Sequence, residues 1–101
     1  MREIDIYLPS ARSDGGAVDS QIFAQIKVNL MNAFGGYTQL KTACEGAWVM
    51  GGVAFRDEVT ILRVLENDRP GFDMHTFRRN LEIALDQEKI LMIARDVTVL
   101  E

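Results

Sequence analysis

Two aromatic residues lie beside glycines in the middle of the sequence, in a stretch that runs from Phe34 to Phe55. Tyr37 directly follows Gly35-Gly36, and Trp48 follows Gly46-Ala47. Aromatic rings next to backbone without bulky side chains can stack on a planar ligand ring or face a cation. The alternative is that both rings pack in a core or against another protein chain. The residue types alone leave both interpretations open.

Charged residues around these aromatics can supply the polar side of such a site. Asp57 and Glu58 precede a strongly apolar segment, so a carboxylate there is expected at the mouth of a cleft between the second and third strands. A carboxylate in a cleft can hold an ammonium or a sulfonium group. Glu45 and Arg56 are the expected polar neighbours of that cleft. The alternative is a solvated pair of acids in a turn.

Most catalytic and metal-binding patterns are absent from the sequence. The chain has one histidine, His75, and one cysteine, Cys44, so neither a multi-histidine site nor an internal disulfide can form within one chain. Walker-type loops and the GxGxxG, HExxH and CxxC patterns are also missing. Cys44 is a poor candidate nucleophile because the carboxylate of Glu45 beside it disfavours the thiolate. We therefore expect a site with no metal and no cofactor.

A strand and a helix are predicted before the glycine-rich stretch. Apolar residues at every second position predict a half-buried strand that ends at Pro9: Ile4, Ile6 and Leu8. After a small, polar loop, apolar residues recur at helical spacing: Phe23, Ile26, Leu30 and Phe34. Asp19 is expected to cap this helix, and Gly35-Gly36 to end it.

Two further strands are predicted inside and after the glycine-rich stretch. The segments YTQLKTA and AWVMGGVAF are rich in strand-forming residues and are separated by Cys44-Glu45-Gly46, where a break is expected. Gly51-Gly52 predicts a second break. The segment Val59 to Glu66 has apolar residues on both faces, which is typical of a central strand.

A second helix and a last strand complete the chain. Asp73 is the expected N-cap of the helix, whose apolar stripe consists of Met74, Phe77, Leu81, Ala84 and Leu85. The segment KILMIARDVTVL predicts one long strand, or a strand with a bend near Arg95-Asp96. The resulting order, β-α-β-β-α-β, predicts an α+β, ferredoxin-like fold over residues 1–101 as a single domain, with a four-stranded antiparallel sheet and both helices on one face.

Two helices can cover only one face of such a sheet. Val59 and Ile61 alternate with Leu62 and Val64, so both faces are expected to be apolar. Burial of a few hundred Å² of apolar surface, at roughly 25 cal/mol per Å², is worth several kcal/mol. We therefore expect the chain to oligomerise through the sheet, as a homotrimer or a homodimer. The alternative is that its own loops cover the second face.

The charge balance excludes some partners. The chain has 11 basic and 15 acidic residues and a formal net charge of -4 at pH 7, whereas a protein that follows nucleic-acid phosphates needs a basic face. Its paired arginines, Arg78 and Arg79, are followed by Glu82 and Asp86. No apolar run approaches the length of a membrane span, and no signal-peptide pattern opens the chain. We expect a cytoplasmic protein that binds neither nucleic acid nor membrane.

Four segments together resemble the phage S-adenosylmethionine lyases, a family first described as hydrolases that protect phage DNA from restriction. In order, they are SARSDG, GGYTQLKTACEGAWV, DEVTILRV and DQEKILMIA. The shared pattern is a small-residue loop after the first strand, a tyrosine after a glycine near the end of the first helix, and a Gly-aromatic pair. A glutamate then begins a strand, and an acidic, Gln-containing helix end leads into the last strand.

The resemblance implies a ferredoxin-like trimer, assembled like the PII signalling proteins, with its site between subunits. Such an enzyme converts S-adenosylmethionine to methylthioadenosine and homoserine lactone without a metal. By position, Glu58 matches the family's essential carboxylate, where it would anchor the substrate's ammonium, and Tyr37 matches the site tyrosine. Trp48 stands where the family has another aromatic. The loop before the first helix would line the ligand through its polar side chains: Ser10, Arg12 and Ser13.

Two other functions are compatible with the same fold. One is a non-catalytic module that binds a nucleotide or another small ligand. The other is an interaction protein of a phage or mobile element, which inhibits a host protein through its sheet edge or its acidic surface.

Overall fold

The computed structural model describes residues 1–12, 14–50, 53–66 and 73–100, with only the backbone described for residues 41–50 and 53–58. The elements within these residues are β1 (Arg2–Pro9), α1 (Ser20–Phe34), β2 (Thr38–Met50), β3 (Val53–Glu66), α2 (Met74–Ala84) and β4 (Met92–Asp96). Neither of these helices has the length and apolar character needed to cross a membrane.

The strands form an antiparallel sheet with the order β2-β3-β1-β4. β1 lies in the middle and pairs with β3 from Arg2 opposite Glu66 to Pro9 opposite Val59. On its other side, β1 pairs with β4 along Arg2–Ile6. The predicted ferredoxin-like α+β fold is therefore confirmed.

Both helices begin at the predicted aspartates. The Asp19 carboxylate accepts a hydrogen bond from the backbone N–H of Gln21 at 2.9 Å. Asp73 caps α2 in the same way, by accepting from the backbone N–H groups two and three positions later. α1 ends at Gly35, which has a left-handed backbone with φ +77° and donates its N–H to the carbonyl of Met31. Glycine adopts this conformation without steric penalty, which explains the predicted stop.

The hydrophobic core lies between the helices and one face of the sheet. β1 and β3 contribute Ile4, Ile6, Leu8, Leu62 and Val64, and the helices contribute Ile26, Leu30, Phe34, Leu81 and Leu85. Phe77 of α2 meets Phe34 of α1 edge to face, with ring centroids 6.2 Å apart. Both helices therefore pack on the same face. Of the predicted stripes, only Ala84 is exposed.

The β2–β3 hairpin is longer than the sequence pattern predicted. β2 runs without interruption through Cys44-Glu45-Gly46, where a break was expected, and β3 begins at Val53 instead of Val59. A register shift occurs in the first half of β2. Because the pairing strand supplies hydrogen bonds to any backbone, glycine content alone does not mark a strand end. The second predicted break, Gly51-Gly52, lies outside the described residues.

The connection from α2 to β4 is held by a buried carboxylate. Glu82 Oε2 accepts the backbone N–H of Ile90 at 3.0 Å, and Glu82 Oε1 accepts from Arg79 at 3.3 Å. Ile90 is itself part of the core. β4 spans only Met92–Asp96, so the last segment does not form one long strand, and the strand ends where a bend was expected.

Candidate functional site

The face of the sheet away from the helices carries the sheet-face ion network, defined here as Glu3, Asp5, Arg63 and Arg95. Asp5 lies at its centre, and its side chain is only 4% exposed. Arg63 donates from Nε to Asp5 Oδ1 at 2.8 Å and from Nη2 to Oδ2 at 3.2 Å, while Arg95 Nη1 donates to Oδ2 at 3.1 Å. Glu3 bridges the same guanidinium groups, with oxygens 2.8 Å from Arg63 Nε and 3.2 Å from Arg95 Nη1.

This network corrects the expectation that the second sheet face is apolar throughout. The pairing register sets Asp5 of β1 opposite Arg63 of β3, and Glu3 opposite Arg95 of β4. Opposite charges therefore meet at the centre of the face, and such cross-strand pairs stabilise a sheet. Apolar residues remain around the network: Leu65, Leu91 and Ile93 are exposed, whereas Val59 and Ile61 are buried.

The arginines hold the central acid in its charged form. The hydrogen bond from Arg63 is the largest influence on Asp5 and lowers the pKa of its carboxyl, Arg95 acts in the same direction, and burial opposes both. In return, hydrogen bonding to Asp5 raises the pKa of Arg63 and of Arg95. The formal charges of two acidic and two basic side chains cancel, so the network has no formal net charge. It presents fixed, oriented charges without a strong overall potential.

A cleft of about 490 Å³ adjoins the network at the edge of the sheet and is called the Tyr37 cleft. It lies between the turn from α1 to β2 and the end of β3. Its lining consists of Glu3, Phe34, Gly35, Gly36, Tyr37, Thr38, Arg63, Val64 and Leu65. β2 begins to pair at Thr38, opposite Arg63. Past this point, the described strands leave that edge of β3 without a neighbour, and this opens the cleft.

The turn after α1 positions Tyr37 at the mouth of the cleft. Gly35 ends the helix in its left-handed conformation, and a Cβ atom built on Gly36 would meet nothing within 4 Å. Tyr37 follows with 36% of its surface exposed. Within the described part of the chain, neither the Tyr37 hydroxyl nor Arg63 Nη1 has a hydrogen-bond partner. The cleft thus combines an aromatic ring with unused N–H and O–H donors.

The predicted ligand loop is folded onto itself and onto the end of α2. Arg12 donates its backbone N–H to Gly16 at 2.7 Å and forms an ion pair with Asp86 at 3.6 Å. The Gln87 side chain donates to the carbonyl of Ala11 at 2.8 Å. Ser10 is exposed, and Arg12 is half-buried. Ser13 lies outside the described residues.

Glu58 and Tyr37 lie at different levels of the hairpin. Thr38, beside Tyr37, is opposite Arg63, whereas Glu58 is opposite Glu45, five positions earlier in β3. At about 3.3 Å per residue, these levels are roughly 16 Å apart within one chain. The loop that follows β1 lies near Glu58, because β1 ends opposite Val59. Within one copy of the chain, Glu58 therefore lies near the loop, whereas Tyr37 lies away from both.

Strand pairing also corrects the expectation of a cleft between β2 and β3. Their Cα partners include Glu45 with Glu58 and Trp48 with Phe55, and Arg56 lies in the same paired segment. Adjacent strands lie about 4.8 Å apart, which leaves no room for a ligand between them. The side chains of these residues are outside the described part of the structure. Their expected roles as ligand-binding or catalytic residues stay predictions.

A second groove, of about 580 Å³, lies between the two helices. Its floor is apolar, and its polar lining consists of amide side chains: Gln25, Asn29, Asn32 and Asn80. Gln25 donates to Asn29 at 3.0 Å. None of the described residues that line this groove is charged or was predicted as a site residue, so the Tyr37 cleft is the stronger candidate. Among the described residues, no cluster of histidine, cysteine or acidic side chains is arranged to hold a metal.

No family model matches the chain, and no curated protein matches it by sequence. Two solved structures are similar in fold. The divalent cation tolerance protein CutA1 from Thermus thermophilus superposes with a TM-score of 0.64 at 12% identity, over 100% of this chain and 88% of that one. A phage S-adenosylmethionine lyase in complex with S-methyl-5'-thioadenosine superposes with a TM-score of 0.64 at 9% identity, over 94% of this chain and 80% of that one.

These similarities establish only the fold. The sequence identities are too low to transfer residue roles from either structure to this chain. The structure also identifies charged residues that sequence reasoning missed, namely Glu3, Asp5, Arg63 and Arg95. A weak signal for them exists in the sequence. Each is a charged residue inside a segment predicted to be a strand, and such positions usually need a partner across the sheet.

Proposed function

We propose that this protein is an S-adenosylmethionine lyase that forms methylthioadenosine and homoserine lactone. The observation that carries the proposal is the similarity in fold to a phage S-adenosylmethionine lyase, together with a cleft at the position of Tyr37. By its place in the sequence pattern, Tyr37 is proposed to correspond to the site tyrosine of that family. At about 490 Å³, the cleft falls within the usual range of small-molecule sites, roughly 300–1,000 Å³.

The proposed site lies between copies of the chain. Within one copy, Tyr37 and Glu58 are roughly 16 Å apart along the β2–β3 hairpin, which is too far for both to contact the reacting part of one small substrate. We propose that a second copy brings its Glu58 and its loop, residues 10–16, to the Tyr37 cleft of the first. We therefore propose a homo-oligomer, and a trimer in particular by analogy with the resembled family.

The chemistry requires few protein groups. The substrate's own carboxylate attacks its γ-carbon, so a C–O bond forms while the C–S bond breaks, and the electron pair goes to the sulfonium sulfur. No proton has to be transferred. The protein must fold the methionine chain into a ring-like geometry and exclude water. Glu58 is proposed to form an ion pair with a cationic group of the substrate, and Tyr37 is proposed to pack against the substrate.

Product formation gives the direct test. The protein is incubated with S-adenosylmethionine, and methylthioadenosine is measured by chromatography. We expect product from the natural protein and from Glu88→Gln, a control at an exposed position away from the cleft. We expect a large loss of activity in Tyr37→Phe and Glu58→Gln, with the assembly mass in light scattering unchanged. Absence of methylthioadenosine at high protein concentration would refute the proposal.

The TM-score to CutA1 equals the TM-score to the lyase, so the fold by itself does not require lyase activity. The alternative is a module that binds a ligand without chemistry. A ligand that binds the folded state raises the unfolding temperature, and the stabilisation grows with the logarithm of the ligand concentration relative to its dissociation constant. A rise in melting temperature with S-adenosylmethionine or a nucleotide, without any product, would support this alternative over the lyase.

A further inference from the structure

We propose that the Tyr37 cleft is a subsite for the α-amino-acid end of a ligand, with the carboxylate held by Arg63 and the ammonium by Glu3. The inference rests on the proposed function for the identity of the whole ligand, S-adenosylmethionine. The arrangement of the cleft residues supports an amino-acid subsite independently, so free amino acids can test it.

Arg63 has donors left for a carboxylate. A guanidinium group has five N–H donors, and Arg63 directs Nε and Nη2 towards Asp5 and Glu3. Among the described residues, Nη1 contacts no acceptor, and 37% of the side chain is exposed. Asp5 and Glu3 hold the guanidinium in place from one side. A ligand carboxylate can therefore meet a pre-oriented donor, which is the arrangement that makes arginine a good carboxylate receptor.

The charge of the network favours a zwitterion over a simple anion. Because two acids and two arginines cancel, the cleft has little net attraction for a lone carboxylate. Glu3 lines the cleft beside Arg63, and each carboxylate oxygen can accept more than one hydrogen bond. A ligand with both a carboxylate and an ammonium on one carbon complements this adjacent pair of opposite charges.

The remaining walls leave room for a chain that leads away from the amino-acid end. Gly35 and Gly36 leave one wall without side chains, and Tyr37 lies at the mouth. A thioether or a sulfonium can pack favourably against an aromatic ring. The cleft thus fits methionine and its sulfonium derivatives. The ammonium is thereby placed at Glu3 rather than at Glu58, where the family resemblance would put it, and Glu58 of another copy would face the sulfonium.

This placement suits the proposed reaction. Arg63 can hold one carboxylate oxygen while the other remains free to attack the γ-carbon. The charges balance, because the carboxylate loses its negative charge and the sulfonium its positive charge, and the ammonium stays protonated throughout. Arg63 would act as a substrate-binding residue that orients the attacking group.

Nuclear magnetic resonance can test the subsite with L-methionine as the probe. The backbone N–H resonances of Gly35, Gly36 and Thr38 and the Nε–H of Arg63 are followed during titration. L-methioninol lacks the carboxylate, and 4-(methylthio)butanoate lacks the ammonium. We expect L-methionine to shift these resonances and each analogue to bind at least about tenfold more weakly, because each loses a charge-assisted hydrogen bond.

Variants separate the cleft from general stability. Gly36→Phe adds a ring to the wall of the cleft, at a position where a Cβ atom would meet nothing within 4 Å, and is expected to abolish the L-methionine shifts. Ala24→Phe adds the same ring at an exposed position on α1 and is expected to bind as the natural protein does. Arg63→Lys keeps the positive charge but loses the planar arrangement of several N–H donors in the guanidinium group. L-methionine is therefore expected to bind about tenfold more weakly. Circular dichroism checks that each variant folds.

The outcomes distinguish this inference from the proposed function. If S-adenosylmethionine is converted but L-methionine shifts no cleft resonance, the subsite is wrong and the lyase proposal survives. If L-methionine shifts the cleft and no methylthioadenosine forms, the subsite is supported and the lyase proposal fails. Equal binding of L-methionine and both analogues, or unchanged binding in Gly36→Phe, would also overturn the subsite.

Discussion

The two faces of the sheet are stabilised in opposite ways. The face under the helices is closed by aliphatic side chains, and Ile6 and Leu62 on it are fully buried. The other face has Asp5 at its centre, held by two arginines. The same strands build both faces, because successive side chains point in opposite directions. One face provides the stability of the fold, and the other presents oriented charges next to a cleft.

The difference shows why charge rather than hydrophobicity locates the candidate site. Aliphatic packing is non-directional and adapts to volume. An ion network needs defined partners. A guanidinium group that two acids hold in place still has N–H donors with which it can bind a third acid. Four predictions test this contrast, beginning with the largest effect.

The largest expected effect follows from truncation on the covered face. Leu62→Ala should lower the free energy of unfolding by about 2–5 kcal/mol, because it removes a fully buried side chain and leaves a cavity. Leu65→Ala, on the open face at 40% exposure, is the matched control and should cost less than about 1 kcal/mol. Urea denaturation measures both values. Equal losses would mean that the two faces do not differ as described.

A smaller effect is expected from the ion network. Arg63→Gln removes the guanidinium that donates twice to Asp5, and we expect a loss of about 1–2 kcal/mol in the free energy of unfolding, reduced by the partial exposure of Arg63. Arg95→Gln removes a single donor to Asp5 and should cost less. Urea denaturation again gives the values, and a larger loss for Arg95→Gln would contradict the central role of Arg63.

Acidification should weaken the ion network on the open face. Folding lowers the pKa of Asp5, so its contribution to stability is fully present above the unfolded-state pKa, about 3.9, and is lost as the pH falls through the lower folded-state value. Asp5→Asn should cost about 1–2 kcal/mol at pH 7.

The cost of Asp5→Asn should shrink as the pH falls below about 4, because the natural protein then loses the same contribution. Denaturation at pH 7, 4 and 3 checks this, with Glu88→Gln as an exposed control outside the network. A difference between natural protein and Asp5→Asn that stays constant with pH would show that Asp5 does not respond in this way.

The smallest effect on stability is expected at the apolar rim of the open face. Leu91→Asp should change the unfolding free energy of a single copy by no more than about 0.5 kcal/mol, because Leu91 is 52% exposed. If copies associate through this face, the same variant should lower the mass measured by light scattering. A natural protein that is already monomeric would contradict the proposed intersubunit site.

Local patterns were sufficient for the helices and their ends. Asp19 and Asp73 are N-caps because a carboxylate accepts hydrogen bonds from the first turn, and Gly35 ends α1 because glycine tolerates a left-handed backbone. Both properties belong to a few neighbouring residues. The length of β3 was underestimated, because the strand from Val53 is maintained by pairing with β2 rather than by its own residues.

The site was only partly predictable. Tyr37 was singled out from its glycine neighbours, and it does line a cleft. Glu58 was expected in a cleft between strands, but direct pairing with Glu45 closes that space. Arg63 was missed because its one local signal, a charge inside a predicted strand, does not show which partners it meets across the sheet.

The sequence alone determined the order of elements, the helix caps and the apolar positions of the core, because each depends on residues close together in the chain. Only the tertiary structure decided which charges meet. Asp5, Arg63 and Arg95 come from three strands far apart in sequence, and they face one another only because of the register in which those strands pair. Register depends on the whole sheet at once, so no local pattern could specify it.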